Sequence, residues 1–156
     1  HFGFSSPSGK FTDIQGTLDL DEKHPQDSKV DVTIGTDSIV TGNPKLDAHL
    51  KSLDFFDVEH HPQTMFKSTR VDVTGKDRAR VYGEFTLLGV TMPVMLEVKL
   101  NKIGISPVNN KKTSGFSDTA LIKRSDYGMT YGMPGLGDEV LVTIETEATL
   151  AGGGKT

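Results

Sequence analysis

The sequence has no cysteine, no tryptophan and no excess of positive charge. Without cysteine, thiol catalysis, disulfide bonds and cysteine-ligated zinc or iron–sulfur centres are excluded. The 17 basic residues are outnumbered by 21 acidic ones, for a formal charge of −4, and the longest basic cluster is Lys111 and Lys112. This distribution argues against a nucleic-acid partner, which requires clustered lysine and arginine. No stretch approaches the roughly 20 apolar residues that a membrane-spanning helix needs.

Alternation of apolar and polar residues dominates the chain and predicts β-strands. The predicted strands lie near 16–20, 30–34, 64–73, 81–87, 94–100, 116–122 and 140–144, and a polar hairpin loop is predicted at 102–114. At 156 residues the chain is long enough for one domain, which we place at 1–150. Strands with one apolar face and few helices to cover it form either a sandwich or a barrel. Glycines inside strands, at Gly16 and Gly83, favour the strongly curved sheet of a barrel.

One segment departs from the strand pattern. In residues 43–53, Leu46, Leu50 and Leu53 share one stripe of a short helix. Asn43 is suited to the N-cap and Pro44 to the first helical position. The sequence therefore predicts a single short helix between strands.

The stretch DFFDVEHHP at 54–62 contains candidate metal ligands and candidate acid–base groups. His60 and His61 are adjacent, so on a strand they point to opposite faces and do not converge on one ion. The sequence has no nucleophile-elbow motif G-x-S-x-G, and we expect no carboxylate on a strand to face the apolar side. We therefore predict neither a metal site nor a catalytic residue, and we interpret the polar side chains of this stretch as solvated.

The C-terminal GGGKT is similar to the end of a phosphate-binding loop, but Thr149 stands where that loop requires its first glycine. We interpret residues 151–156 as a flexible tail or linker.

Large, flexible apolar side chains are more numerous than a small core requires. Methionine adapts to irregular apolar ligands and phenylalanine supplies smooth walls. Taken singly, each is an ordinary packing residue; taken together on a barrel, they suggest a lined cavity. The set comprises Phe55, Phe56, Met65, Phe66, Met92, Met95, Met129 and Met133.

Four stretches in order along 1–150 make the sequence resemble the YceI-like family, whose members are lipocalin-like barrels that bind polyisoprenoids. They are HFGFS…GKFTDIQGTLDLDEKHP, KLDAHLKSLDFFDVEHHPQTMFKST, GEFTLLGVTMPVMLEVKL and GFSDTALIKRSDYGM. The helix followed by DFF and HP-x-x-x-F-K-S is the most specific, together with L-x-G-V-T-x-P-V.

The resemblance implies an all-β, antiparallel barrel of about eight strands with one short helix, enclosing an apolar tunnel. It implies a periplasmic or secreted protein that carries a long isoprenoid lipid of the ubiquinone or polyprenyl phosphate type, with no enzymatic activity and no catalytic cofactor. An extracellular non-catalytic module, or an enzyme acting on an amphiphilic ligand, is the alternative. A homodimer and attachment to a larger extracellular protein remain open.

One departure from the family concerns the first strand. Family members usually have residues before the His-x-G-F/Y-S motif, whereas here the motif begins at His1. We expect the first strand to be truncated, leaving a weak seam in the barrel wall that a neighbouring chain could fill.

Alternation and the resemblance together select the residues expected to line the ligand. These are Val32, Ile34, Leu50, Phe55, Phe56, Phe66, Phe85, Leu87, Leu96, Phe116, Ile122, Met129 and Met133. For a phosphate headgroup, Lys123 and Arg124 are the cationic candidates.

Overall fold

The computed structural model describes residues 1–151, so the predicted tail lies almost wholly outside the described residues. Nine strands and one α-helix follow one another along this part of the chain. They are β1 (Lys10–Phe11), β2 (Ile14–Asp19), β3 (Lys29–Gly35), β4 (Ile39–Val40), α1 (Pro44–Lys51), β5 (Gln63–Gly75), β6 (Arg78–Leu87), β7 (Val90–Ile105), β8 (Lys112–Lys123) and β9 (Glu139–Thr149). Short 3₁₀ turns lie at Pro25–Asp27, Thr36–Ser38 and Arg124–Tyr127.

Seven of the strands form one antiparallel sheet in the order β2-β3-β5-β6-β7-β8-β9, and β1 pairs with β4 beside it. The sheet curls strongly: Lys112 at the start of β8 forms an ion pair with Glu22, which follows β2, although four strands separate β2 from β8 in the sheet. The structure is therefore a half-barrel, which confirms the predicted barrel and rules out the sandwich.

Bulges allow this curvature, and one glycine allows close packing on the inner face. Register shifts interrupt the pairing between Ser68 and Arg70 in β5 and between Leu100 and Lys102 in β7, and such bulges bend strands. At Gly83 the ring of Phe66 lies so close that an added Cβ would be 2.4 Å from its Cζ atom. A side chain at Gly83 is therefore incompatible with this packing.

The wall of the half-barrel is open between β2 and β9. These two strands are the edges of the seven-stranded sheet, and no pairing joins them within residues 1–151. The seam expected from the sequence is present at this place. That a neighbouring chain fills it, as in a homodimer, stays a prediction.

The helix begins as predicted and ends earlier than predicted. The Asn43 side chain accepts hydrogen bonds from the main-chain N–H groups of Lys45 and Leu46, and Pro44 is the first helical residue. The helix ends at Lys51, so Leu53 does not belong to its apolar stripe and is exposed. The predicted loop at 102–114 is also shorter, because β7 and β8 continue to Ile105 and from Lys112.

Two clusters of buried apolar side chains make up the core. The inner-face cluster contains Phe66, Val71 and Val81, with partly buried residues of β3, β6 and β7 against it. The end cluster contains Phe55, Leu87, Tyr127 and Met129, and lies where β6 ends and β7 begins. Phe85 packs against both clusters and joins them.

Candidate ligand-binding site

The cross-strand register assigns the inner, concave face of the half-barrel. Phe66 pairs with Val32 on one side and Phe85 on the other, and Phe85 pairs with Met92. Directly opposed residues of an antiparallel pair project from the same face of a sheet. Following this rule across the sheet gives an inner face composed mainly of Val, Leu, Ile, Phe and Met, with small and hydroxyl residues among them.

Exposure on this face is uneven: inward residues at the seam are exposed, and so is Val73 near the end of β5, at 51%. Phe66 and Val81, in the central strands, are each 8% exposed, whereas Ile14 in β2 and Val140 in β9 are 53% and 40% exposed. Along β7, Met92, Val94, Leu96, Val98 and Leu100 all point inwards and all are only partly buried. The inner face is therefore an apolar surface that the protein's own side chains cover only in part.

The end cluster closes one end of this surface. Phe55 is buried and meets the rings of His49 and Tyr131 edge to face, at centroid distances of 4.9 and 5.3 Å. Phe56 packs against the same cluster and lies edge to face with Phe11 at 5.3 Å. Both phenylalanines therefore belong to the closed end, and the open inner face begins beyond Phe85.

The residues expected to line a ligand separate into three groups. Val32, Phe66, Phe85 and Leu96 lie in or against the inner-face cluster. Leu50, Phe55, Phe56, Leu87 and Met129 lie in or against the end cluster. Ile34, Phe116 and Ile122 project from the inner face through their pairing with Ile14, Leu100 and Val140.

Met133 is different from the other expected lining residues. It lies in the 128–137 loop, is exposed and packs against neither cluster. The structure thus separates Met133 from the apolar surface that the other twelve residues form or close.

Arg124 is not placed to meet a headgroup. Only 5% of the residue is exposed, and its guanidinium donates to the main-chain carbonyls of Met129, Tyr131, Leu136 and Gly137 at 2.7–3.1 Å. Four of its five N–H groups are thereby used. The side chain holds the loop that follows β8, which is the reason that the headgroup expectation is not supported at Arg124. Lys123 is exposed, but its pairing with Glu139 places it on the outer face of the sheet.

A carboxylate also holds this loop in place. Asp138 accepts hydrogen bonds from the main-chain N–H and the hydroxyl of Ser125 at 2.8 and 2.6 Å, and these bonds hold the pKa of Asp138 below its usual value. Arg124 and Asp138 together place Tyr127 and Met129 in the end cluster.

The polar side chains of the DFFDVEHHP stretch and its helix pair locally. The Nδ1 of His60 lies 2.8 Å from Oδ1 of Asp57, and this hydrogen bond raises the pKa of His60. His49 makes a similar contact with Asp54 at 2.8 Å. Within the described residues, the side chains close enough to share a metal ion are Asp21, His24 and Asp27, which do not belong to this stretch.

Asp118 is a residue that the sequence reasoning missed. It pairs with Val98 and Ile144, so its carboxyl projects from the inner face between Phe116 and Ala120. Its Oδ1 atom is buried and accepts no hydrogen bond, and burial raises its pKa to about 6, with the charge of Glu145 as a smaller cause. The alternation Phe116, Asp118, Ala120, Ile122 contained the signal, because it places one acid among apolar inward positions.

Two other clefts, of about 450 and 390 Å³, lie away from the inner face. One is bordered by residues 1–6 and 134–137, and the other by residues 26–29 and 68–70. Both are lined mainly by small, polar or charged residues, so neither offers an apolar ligand the surface that the inner face does.

The fold and site thus define a curled antiparallel half-barrel with an accessible apolar inner face. The model of the YceI-like domain matches residues 1–148, and the chain belongs to this family. Across 94% of its length it is 40% identical to Protein YceI of Salmonella arizonae and to a UPF0312 protein of Pectobacterium carotovorum, and it covers 76% of each. These names describe no enzymatic activity.

Solved structures have the same fold. The YceI protein of Campylobacter jejuni, whose crystals have large solvent channels, superimposes with a TM-score of 0.87 at 28% identity, over 97% of this chain and 89% of that one. BcnA of Burkholderia cenocepacia is similar in fold, with a TM-score of 0.82 at 23% identity over 90% of this chain and 87% of that one. Among residues 1–151, no helix has the length and hydropathy needed to cross a membrane.

Proposed function

We propose that the protein binds the apolar chain of an isoprenoid lipid against the inner face of the half-barrel and carries it outside the cytoplasm, in the periplasm or as a secreted protein. The observation that carries this proposal is the partly exposed apolar row on β7 together with the exposed Ile14 and Val140 at the seam. A continuous apolar surface of this kind marks a binding site in a protein that folds in water.

Burial of an isoprenoid chain on this face releases enough free energy for binding. Burying one CH₂ group yields about 0.8 kcal/mol, so one isoprene unit contributes roughly 3 kcal/mol before costs. Ordering the chain and fixing it on the protein offset a large part of this gain. Chain length, set by the distance from the end cluster to the open end of the sheet, is then the main source of selectivity.

The headgroup would lie outside the apolar surface. We propose a quinone or a phosphate headgroup, as in ubiquinone or a polyprenyl phosphate. Lys123 ends β8 directly before the turn that leads into the end cluster, so it lies at the closed end and is not placed to meet a headgroup at the open end. We propose no catalytic step, because the inner face has one carboxyl and no nucleophile–base pair among its described strand residues.

Native mass spectrometry of the protein purified from a prenyl-rich bacterial host tests the proposal. We expect a bound mass that organic extraction releases as an isoprenoid lipid. A protein that stays free of lipid, and that also fails to take up added farnesol or ubiquinone, would refute the proposal.

A matched pair of variants tests the site. Leu96 and Met95 are neighbours on β7 of similar size, but Leu96 points inwards and Met95 outwards, opposite Tyr82. We expect Leu96→Gln to lower lipid occupancy at least several-fold, and Met95→Gln to leave it unchanged. Circular dichroism establishes that both variants remain folded.

A further inference from the structure

Asp118 is an unusual residue in its surroundings. Apart from Lys112 at the rim, which pairs with Glu22, the strand register places no other ionisable side chain on the inner face of the seven-stranded sheet. Lys112 is six residues from Asp118 along β8, which corresponds to about 20 Å. The carboxyl therefore has no cation beside it on this face.

The groups that surround the carboxyl on the neighbouring strands are apolar except for Thr146. On β7 it faces Val98, with Leu96 and Leu100 on either side. On β9 it faces Ile144, between Val142 and Thr146. The charged residues of these strands alternate to the other face: Lys99 and Glu97 on β7, and Glu145 on β9, whose carboxylate accepts a hydrogen bond from Ser117.

We propose that Asp118 couples ligand uptake to protonation: the apolar ligand chain covers the Asp118 carboxyl, binds preferentially to its neutral form, and is held more tightly as the pH falls. The inference rests on the proposed function, because it assumes that the apolar chain lies on the inner face. It adds to that function a group that regulates retention of the ligand.

The direction in which affinity changes with pH follows from desolvation of the Asp118 carboxyl. A ligand that covers a carboxyl already short of hydrogen-bond partners disfavours its charged form further. The pKa of Asp118, about 6 without ligand, then rises in the complex. By linkage, the affinity is greatest below pH 6 and falls as the pH rises above 6. If only the neutral form binds, the dissociation constant at pH 7 is roughly tenfold larger than at pH 5.

Binding of N-phenyl-1-naphthylamine provides the test, because this apolar fluorophore is uncharged between pH 5 and pH 8. We expect its dissociation constant on the wild-type protein to increase several-fold from pH 5 to pH 7. Farnesol, also uncharged over this range, should displace it with the same pH dependence.

Asp118→Asn keeps the shape of the side chain and removes the titration. We expect this variant to bind the fluorophore with the same affinity at pH 5 and pH 7, near the pH 5 affinity of the wild type. Asp31→Asn is the control, since Asp31 pairs with Lys67, is exposed and lies on the outer face. It should retain the pH dependence of the wild type.

The outcomes separate the two proposals. A wild-type protein that binds the fluorophore and farnesol equally well at both pH values refutes the coupling and leaves the proposed function standing. An Asp118→Asn variant that keeps the full pH dependence also refutes the coupling and leaves the proposed function standing. Failure of both probes to bind at any pH between 5 and 8 contradicts the proposed function and the coupling with it.

Discussion

Replacing Arg124 provides the most direct test of how the closed end of the half-barrel is held. Its guanidinium joins four carbonyls spread over residues 129–137, and its main-chain N–H donates to Asp138 at 3.0 Å. Arg124→Met keeps much of the side-chain volume and removes all the side-chain donors. The carbonyls then lose their partners while a buried position is occupied by an apolar chain.

Hydrogen bonds to charged groups contribute about 1.5–3 kcal/mol each, but they are not additive within one network. Because Tyr131 and Gly137 are exposed, water can reach part of the loop. We therefore expect Arg124→Met to lower the free energy of unfolding by about 3–5 kcal/mol, well below the sum of four independent bonds. Arg124→Lys keeps a charge but not the planar guanidinium, so its free energy of unfolding should lie between those of the wild type and Arg124→Met.

Urea denaturation followed by circular dichroism measures this change, with Lys123→Met as the matched control. Lys123 is the exposed neighbour, so its replacement should shift stability by less than about 0.5 kcal/mol. A loss below 1 kcal/mol for Arg124→Met would contradict the structural role. If that variant instead kept its stability and bound a polyprenyl phosphate more weakly, Arg124 would be a headgroup ligand after all.

Three further substitutions test separate parts of the fold. Gly83→Ala would place a Cβ 2.5 Å from the carbonyl oxygen of Lys67, so we expect it to lower the free energy of unfolding by about 1–3 kcal/mol in urea denaturation. Gly115→Ala, whose Cβ would have nothing within 4 Å, is the control and should cost less than half as much. Asn43→Ala removes the helix cap and should cost about 1 kcal/mol in the same assay. The raised pKa of Asp118 contributes a fall in the free energy of unfolding as the pH rises from about 4 to about 6. After allowance for solvent screening this fall is about 1 kcal/mol, and Asp118→Asn should abolish it. An unchanged pH profile in denaturation would contradict this last expectation.

The strands and the start of the helix were predictable because their signals are local. Alternation over β3, β6 and β7 and the cap at Asn43 each depend on a few consecutive residues. The seam was anticipated from the resemblance to the YceI-like family rather than from any pattern within the chain.

The parts that sequence reasoning missed depend on contacts between distant residues. The sequence makes Arg124, next to Lys123, a candidate cation for a headgroup, but its partners are carbonyls up to 13 residues away, and no local pattern identifies them. For Asp118, alternation indicates the inner face, whereas the absence of a partner depends on what β7 and β9 place beside it. Phe55 and Phe56 were predicted as lining residues, yet the packing of Tyr127 and Tyr131 assigns them to the closed end.

The end cluster and the strands at the seam differ in how completely the protein buries them, and this difference leads to a last prediction. The end cluster is complete, because Phe55, Tyr127 and Met129 are buried by the protein itself. The edge strands β2 and β9 pair on one side only, and their inward side chains at Ile14 and Val140 have little apolar cover. A ligand that binds the folded state alone stabilises it by RT ln(1 + [L]/Kd), and local opening of the covered strands is suppressed in the same way.

Hydrogen exchange measured by mass spectrometry, with and without saturating farnesol, reports this effect strand by strand. We expect added protection in β2 and β9 and little change in α1 or the 124–138 loop. Protection confined to the loop would mean that the ligand binds at the closed end and not on the inner face, because only the residues that a ligand covers gain protection beyond the global change in stability. The position of the protected strands therefore distinguishes a protein that binds lipid on its inner face from one that binds lipid at its closed end.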